Sequence, residues 1–228
     1  MIEAAIFFAG SIGVFLFWLE VHRRIPFILF NPLMLSIISI VSALVFLDIE
    51  YERYMRGGNW LSALIEPGVV ALGYPLYKQI YLIRRQWKVL LGICIVASVS
   101  ALTLNAVLAR LLGLEDWVVL SFATANITTA IAMETSEQMG GSAALAAVAV
   151  LMAGFTGSAF GVLWLKVFKI SRLPALGLAM GCASHALGTA TIARTSLQAS
   201  AFASTALILC AIFTAIVAPI YIPFLLSL

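Results

Sequence analysis

The amino-acid sequence predicts an all-α polytopic membrane protein with about six full transmembrane helices and two further segments that are broken or re-entrant. Three observations lead to this prediction. Of 228 residues, 63% are hydrophobic and only 10% are charged, whereas a soluble domain carries about 25% charged residues. Several uncharged runs exceed the roughly 18 residues that indicate a membrane helix. Two apolar segments are interrupted by polar residues, which a lipid-facing helix does not need.

The whole chain, 1–228, is predicted to form one integral membrane domain of consecutive apolar segments. In order, these are 4–19, 33–47, 60–77, 89–109, 117–141, 143–165, 173–194 and 195–228. The stretches between them, predicted to be loops, are 20–24, 48–59, 78–88, 110–116 and 166–172. Pro219 and Pro223 are predicted to kink or end the last helix, because proline lacks the N–H that a helix interior needs.

The segment 60–77 contains several helix breakers. Pro67, Gly68 and Pro75 predict that its helix is kinked or unwound. Such a break is tolerated in a membrane only where protein or water satisfies the freed backbone groups. Glu66 lies near the start of this segment. An interfacial position is therefore favoured for it over a coupling or gating role at the membrane midplane.

Charge in the loops predicts the topology. The basic loops are 20–24, 78–88 and 166–172, and positive charge favours the cytoplasmic side. The N-terminus is then outside. The last two basic loops share a side only if an even number of crossings separates them, which requires 117–141 to enter the membrane and return. By the same logic 173–194 enters from the opposite face, so the two elements meet near the midplane.

These two elements carry the polar interruptions, at 124–141 and 181–190. Both are rich in hydroxyls and small residues, and each is followed by a long apolar span. Paired interruptions in corresponding positions indicate a transporter binding site and an inverted repeat, as in elevator-type carriers. The similarity between the two stretches is too short to establish a repeat by itself.

The polar residues predict a binding site for a small organic anion. An anion inside a membrane needs hydrogen-bond donors, and half-helix N-termini attract carboxylates through free N–H groups and the helix dipole. The alternative is that the hydroxyls bond to their own helices or hold helices together. The candidate substrate-binding residues are Asn126, Thr128, Thr129, Ser184, His185, Gly188 and Thr189.

Besides Glu66, three residues are candidates for coupling transport to an ion or for gating it. His185 titrates near neutral pH and could carry a proton, or it could brace the loop as a neutral hydrogen-bonded side chain. Glu134 and Glu137 follow the first polar run. A buried Glu134 would suit a proton or Na⁺ site, whereas at the outer face both would cap the hairpin.

The sequence excludes several function classes. It holds no Ser-His-Asp set, phosphate loop or metal-ligand cluster, so we expect neither an enzyme nor a cofactor. The three cysteines lie in apolar segments without a CxxC spacing, which favours buried thiols over a metal or redox role. The net charge of +3 is small, and the basic residues lie in short loops, so they report orientation rather than nucleic-acid binding. Gly154, Gly157 and Gly161 give 143–165 a small-residue face, which suits internal packing or a homodimer.

Several stretches resemble the LrgB family and its CidB relatives. They are NPL at 31–33, GGNWL at 57–61, VALGYPLY at 70–77, ARLLGL at 109–114, TTAIAMETSEQMGG at 128–141 and GCASHALGTA at 181–190. The resemblance covers 28–228, and the last two motifs are the most specific. Residues 1–27 carry little of it and form a variable N-terminal helix.

The resemblance implies two functions. One is transport of small monocarboxylates such as pyruvate, or the glycolate and glycerate of plastid relatives. The other is antiholin-like control of murein hydrolases and autolysis, with a small LrgA- or CidA-like membrane partner. We expect a multi-pass protein of the bacterial cytoplasmic membrane, a homodimer in the lipid bilayer. A proton-coupled carrier is the favoured function.

Two residues depart from the family pattern. Ala125 stands where the family usually has a basic residue, and Ala130 stands where it usually has proline. Loss of the base removes a partner for an anionic substrate. Loss of the proline is expected to make the first broken segment more continuous. Glu66 also replaces an expected small residue.

Overall fold

The computed structural model describes residues 1–25, 31–64, 67, 70, 73–193 and 195–227. These residues contain helices and no strand, so the predicted all-α class is confirmed. The chain divides into two compact units, Met1–Ala71 and Leu72–Leu228. Each unit is described by itself.

Eleven helices are described. They are α1 (Ile2–Arg24), α2 (Pro32–Phe46), α3 (Tyr51–Ser62), α4 (Gly73–Lys78), α5 (Ile80–Arg85), α6 (Trp87–Leu111), α7 (Asp116–Ala123), α8 (Thr129–Gln138), α9 (Ala143–Val167), α10 (Leu173–Ala193) and α11 (Leu197–Leu226). Five of them (α1, α6, α9, α10 and α11) are long and apolar enough to cross a membrane, and α2 is a shorter apolar helix. The protein is therefore a multi-pass membrane protein.

In the first unit, two predicted loops are helical. The stretch 20–24 forms the last turns of α1, where Glu20 pairs with Arg23 and Arg24; such pairs at i+3 and i+4 support a helix. Most of the predicted loop 48–59 belongs to α3. Its Arg53 and Arg56 pair with Glu3 of α1, so its charges stabilise a helix–helix contact.

Gly57, part of the predicted loop 48–59, makes the contact between α1 and α3 possible. A Cβ at Gly57 would overlap the carbonyl oxygen of Ala4 and approach Phe7 Cβ at 2.8 Å. Ser11 and Tyr54 share a hydrogen bond of 2.9 Å across the same interface. A glycine here permits close helix approach rather than a turn.

The second unit also corrects predictions from proline and charge. The predicted basic loop 78–88 consists largely of the ends of α4 and α6 and all of α5. Helix α11 continues through Pro219 and Pro223 to Leu226 instead of ending at them. Of the predicted breakers, Pro75 lies inside α4 and Pro67 is helical, whereas Glu66 and Gly68 lie outside the described residues.

The first polar segment folds back on itself as hairpin 1, composed of α7, the turn 124–128 and α8. Ser142, just beyond α8, donates its N–H to Ser121 Oγ of α7 at 2.7 Å. Nearer the turn, Thr124 Oγ1 donates to the Ala132 carbonyl at 3.4 Å. Helix α7 has 8 residues and is therefore about 12 Å long, too short to cross a membrane about 30 Å thick.

The second polar segment is hairpin 2, formed by α10. Its backbone leaves the helical region at Ser184 (φ −132°, ψ 19°) and His185 (φ 39°, ψ −134°). A Cβ at Gly188 would lie 2.7 Å from the Met180 carbonyl oxygen, whereas eight residues of straight helix span about 12 Å. The half after His185 therefore returns along the half before it.

The two hairpins enter from opposite ends of α9. Hairpin 1 ends where α9 begins, and hairpin 2 begins where α9 ends. With 25 residues, α9 is about 38 Å long, enough to span the bilayer. Two full spans, α6 and α9, therefore separate the basic stretches 78–88 and 166–172. This is the even number of crossings that the charge pattern predicts.

Candidate functional site

The tips of the two hairpins meet inside the second unit. Asn126, in the turn of hairpin 1, donates from Nδ2 to the Cys182 carbonyl at 3.4 Å, two residues before the break in hairpin 2. Its side-chain oxygen is buried and has no hydrogen-bond partner among the described residues. A buried acceptor without a donor costs about 1–3 kcal/mol. Asn126 thus joins the two tips and leaves its side-chain oxygen without a donor among the described residues.

His185 forms the tip of hairpin 2 in a strained conformation. Its φ of 39° is uncommon for any residue other than glycine. Nε2 lies 2.8 Å from the carbonyl of Val150, in the first third of α9, and because a carbonyl only accepts, Nε2 carries the proton. Thr189 Oγ1 donates to the His185 carbonyl at 2.8 Å. The ring is 4% exposed, so packing and hydrogen bonds hold the strained turn in place.

Ser184 fits against the small-residue face of α9. A Cβ at Gly157 would overlap Ser184 Oγ, and a Cβ at Gly154 would lie 2.6 Å from Cε1 of His185. One turn further along, a Cβ at Gly161 would lie 2.6 Å from Met180 Sδ. These glycines therefore serve packing within one chain. They form the surface of α9 against which hairpin 2 packs, the seat of hairpin 2.

Half-helix N-termini lie at both tips. Helix α8 begins at Thr129, and its N-cap Thr128 makes no side-chain capping bond. The first N–H groups of such a helix have no helical partner. The returning half of α10 likewise begins directly after His185, and its Gly188 and Thr189 are buried. N–H groups and dipoles from both hairpins thus favour an anion where the tips meet.

The structure brings the predicted substrate-binding residues together at the tips. Asn126, Ser184, His185, Gly188 and Thr189 are buried, whereas Thr128 and Thr129 are half-buried. The tip sequences 124–129 and 183–189 contain no Asp, Glu, Lys or Arg. The site therefore offers neutral donors and one imidazole rather than a fixed counter-ion.

The carboxylates are not part of this cluster. Glu134 and Glu137 are exposed on α8, away from the turn, and Glu134 accepts a bond from Gln138 Nε2 at 3.1 Å. A coupling role for Glu134 requires a buried carboxylate, and in the structure the Glu134 side chain is exposed.

The departures from the family pattern leave the turn intact. Ala125 is buried in the turn of hairpin 1, and Ala130 is exposed in the first turn of α8. The expectation of a more continuous segment is wrong, because residues 124–128 interrupt the helix without a proline. Thr128 adopts an extended conformation (φ −64°, ψ 142°) as the N-cap of α8, and this starts a new helix without proline.

Sequence reasoning missed three contributors to the site. Thr124 is buried and links the two halves of hairpin 1. Its position as the first residue of the polar run could have identified it from the sequence. Gly157 was interpreted only as a generic packing residue. Val150 contributes a backbone carbonyl, which leaves no mark on the sequence.

Comparison with known proteins is consistent with the motifs. The model of the LrgB-like family matches residues 11–224. An uncharacterized protein of Haemophilus influenzae is 37% identical over 96% of each chain. Protein YxaC of Bacillus subtilis, also uncharacterized, is 32% identical over 93% of this chain and 92% of its own. The antiholin-like protein LrgB of Bacillus mycoides is 34% identical over 95% of this chain and 93% of its own. No solved structure matches the chain significantly. The chain belongs to the LrgB-like family.

Proposed function

We propose that the protein is a secondary transporter of small monocarboxylates of the pyruvate, lactate and glycolate class. The observation that supports this proposal is the meeting of two opposed hairpin tips, lined by buried polar groups, beside one long helix. Broken helices that meet in this way are typical of transporter binding sites. A scaffold without a ligand has no need for buried hydroxyls, an amide and a histidine at this position.

The donors explain why the substrate is a small anion. The carboxylate accepts hydrogen bonds from the first N–H groups of α8 and of the returning half of α10, with hydroxyls of Thr128, Thr129 and Ser184 beside them. The unpaired oxygen of Asn126 accepts from a hydroxyl group of the substrate or from a bound water. With no lysine or arginine at the tips, binding is weak enough for release on the other side.

Alternating access follows from the hairpin arrangement. Each hairpin is attached to the long helices only at its open end, so one can withdraw while the other stays seated. When hairpin 1 moves, the Asn126–Cys182 bond breaks; when hairpin 2 moves, the His185–Val150 bond breaks. Access to the tips then alternates between the two sides of the membrane.

His185 is the proposed proton carrier. Its Nε2–H is engaged by Val150, so Nδ1 is the atom that gains or loses a proton. A protonated ring beside a bound carboxylate is neutral as a pair, which lowers the cost of burying both. Proton and substrate therefore move together. Na⁺ is the alternative coupling ion.

Uptake into proteoliposomes tests the proposal. Purified protein is reconstituted, and entry of labelled pyruvate, lactate and glycolate is followed with and without a pH gradient. Uptake should be saturable and faster with an inward proton gradient. Asn126→Ala should abolish it, whereas Asn105→Ala should retain it, although Asn105 also donates to a carbonyl, that of Ala123, at 3.2 Å. Absence of uptake of all three anions by folded protein would contradict the proposal.

A second function is supported by the name of relatives. Several are called antiholin-like protein LrgB, which suggests regulation of murein hydrolase activity and autolysis with a small LrgA-like membrane partner. A deletion strain that lyses at an altered rate, and is rescued by the Asn126→Ala variant that does not transport, would favour this function over transport. For either function the proposed location is the bacterial cytoplasmic membrane. The N-terminus is then outside, because positive charge in the basic stretches favours the cytoplasmic side.

A further inference from the structure

The three cysteines, which lie far apart in the sequence, form one cluster in the structure. Cys94 is on α6, Cys182 on the first half of α10 and Cys210 on α11. Their Sγ atoms all lie within 4.8 Å of one another. The sulfur atoms of Cys210 and Cys182 are 3.5 Å apart, and Cys210 Sγ also lies 3.8 Å from the Cys94 carbonyl.

The surroundings of this thiol cluster are apolar. Cys94 is 0%, Cys210 1% and Cys182 8% exposed. The side chains packed around them include Leu90 and Phe202. In the described part of the chain, the cluster contains no histidine or carboxylate. The cluster therefore offers three soft sulfur donors.

The sulfur spacing fits a metal ion at the centre. With metal–sulfur bonds of about 2.3 Å, ligand sulfurs lie about 3.8–4.0 Å apart in tetrahedral or trigonal geometry. The observed separations of 3.5 Å to 4.8 Å bracket that value. Small side-chain rotations on three packed helices would complete such a site.

The donor set selects the kind of ion. Structural zinc sites almost always have four protein ligands, and this cluster supplies three. Thiolate ligands favour Cu(I) among physiological ions, and Cu(I) is stable with three sulfurs and no water. We propose that Cys94, Cys182 and Cys210 form a three-coordinate site for a soft monovalent ion, Cu(I). The site shares Cys182 with the contact between the hairpin tips, where the Cys182 carbonyl accepts from Asn126, but Cu(I) binding by the thiols can be measured without transport.

A nearby serine gives a matched control. Ser98 lies one helical turn after Cys94, is 1% exposed, and its Oγ has no hydrogen-bond partner among the described residues. It is the nearest candidate on α6 for a fourth ligand. A three-sulfur site does not use it, so Ser98→Ala should leave Cu(I) affinity unchanged.

The experiment titrates Cu(I) into reduced, detergent-solubilised full-length protein in competition with a chromogenic Cu(I) chelator. One ion should bind per chain. Cys94→Ser, Cys182→Ser and Cys210→Ser should each weaken binding by about 100-fold or more, because each removes one of three Cu–S bonds. Ser98→Ala should bind as the unmodified protein does.

X-ray absorption spectroscopy on the unmodified protein loaded with Cu(I) tests the site without any variant, so its result does not depend on whether the cysteine variants fold. A first shell of three sulfur atoms, without nitrogen or oxygen, is the expected result. A two-sulfur shell, a shell containing oxygen, or no stoichiometric binding would overturn the proposal. Equal loss of affinity in Ser98→Ala and the cysteine variants would do the same.

Discussion

Replacing Gly157 by alanine should disable transport while leaving most of the fold intact. The added methyl group would occupy the position of Ser184 Oγ and approach Ser184 Cα at 3.5 Å. Alanine stabilises a helix relative to glycine by about 0.5–1 kcal/mol, whereas overpacking costs about 1–3 kcal/mol. The net effect is a loss of about 1–2 kcal/mol in the free energy of unfolding.

The functional effect should be larger than the effect on stability. Ser184 and His185 form the tip of hairpin 2, and the methyl group pushes them away from their seat on α9. A displacement of about 1 Å at a preorganised site can cost about 100-fold in rate, and we expect a loss of that size in initial uptake. The assay combines proteoliposome uptake with thermal unfolding of the purified protein.

Gly92 provides the matched control. It is another glycine inside a long helix of the same unit, and a Cβ there would meet nothing within 4 Å. Gly92→Ala should transport normally and unfold at the same or a slightly higher temperature. Normal uptake by Gly157→Ala, or an equal loss in both variants, would refute the proposed seat of hairpin 2.

Three further predictions concern the histidine, the base of hairpin 1 and the topology. His185→Ala should lower uptake about tenfold or more and remove its response to a pH gradient, because it removes the proposed proton carrier and the bond that holds the tip of hairpin 2 on the Val150 carbonyl. His22→Ala should change neither, and an unaltered pH response in His185→Ala would exclude it as the proton carrier. Ser121→Ala should lower the free energy of unfolding by about 1–3 kcal/mol, because the Ser142 N–H loses its acceptor. A loss no larger than that caused by Ser158→Ala would contradict this role of Ser121. A membrane-impermeant thiol reagent should label Lys169→Cys from the cytoplasmic side only.

The labelling experiment has two internal controls. Arg85→Cys should label from the same side as Lys169→Cys, because α6 and α9 are the two full spans between them. Glu115→Cys should label from the opposite side. Labelling of Lys169→Cys and Arg85→Cys from different faces would show that residues 116–138 cross the membrane completely. That result would contradict two hairpins that enter from opposite faces.

Polarity in the sequence was sufficient to locate both broken elements. Polar residues and glycines in apolar segments at 124–141 and 181–190, together with basic loops that had to share a side, predicted two hairpins that enter from opposite faces. The exact turn of hairpin 2 was not predictable. Its positive φ falls on His185 rather than on a neighbouring glycine, because a tertiary contact with the Val150 carbonyl holds it there.

Predictions failed where a tertiary contact reversed the usual meaning of a residue. Gly57 was placed in a predicted loop, but its role is close packing of α3 on α1. Pro219 and Pro223 predicted a kink or an end of the last helix, and the end is wrong because α11 continues through both. The thiol cluster was hidden because Cys94, Cys182 and Cys210 lie on three different helices, and no local spacing reports their proximity.

Substrate protection of a thiol at the tips tests the central claim most directly. The rate at which a polar maleimide alkylates Thr128→Cys, at the start of α8, is followed by peptide mass spectrometry as pyruvate is added. Pyruvate should slow alkylation in a saturable way, whereas the neutral amide of pyruvate should not. Thr156→Cys, exposed on α9, should be unaffected. Alkylation of Thr128→Cys at the same rate with and without every monocarboxylate tested would contradict a substrate site between the hairpin tips.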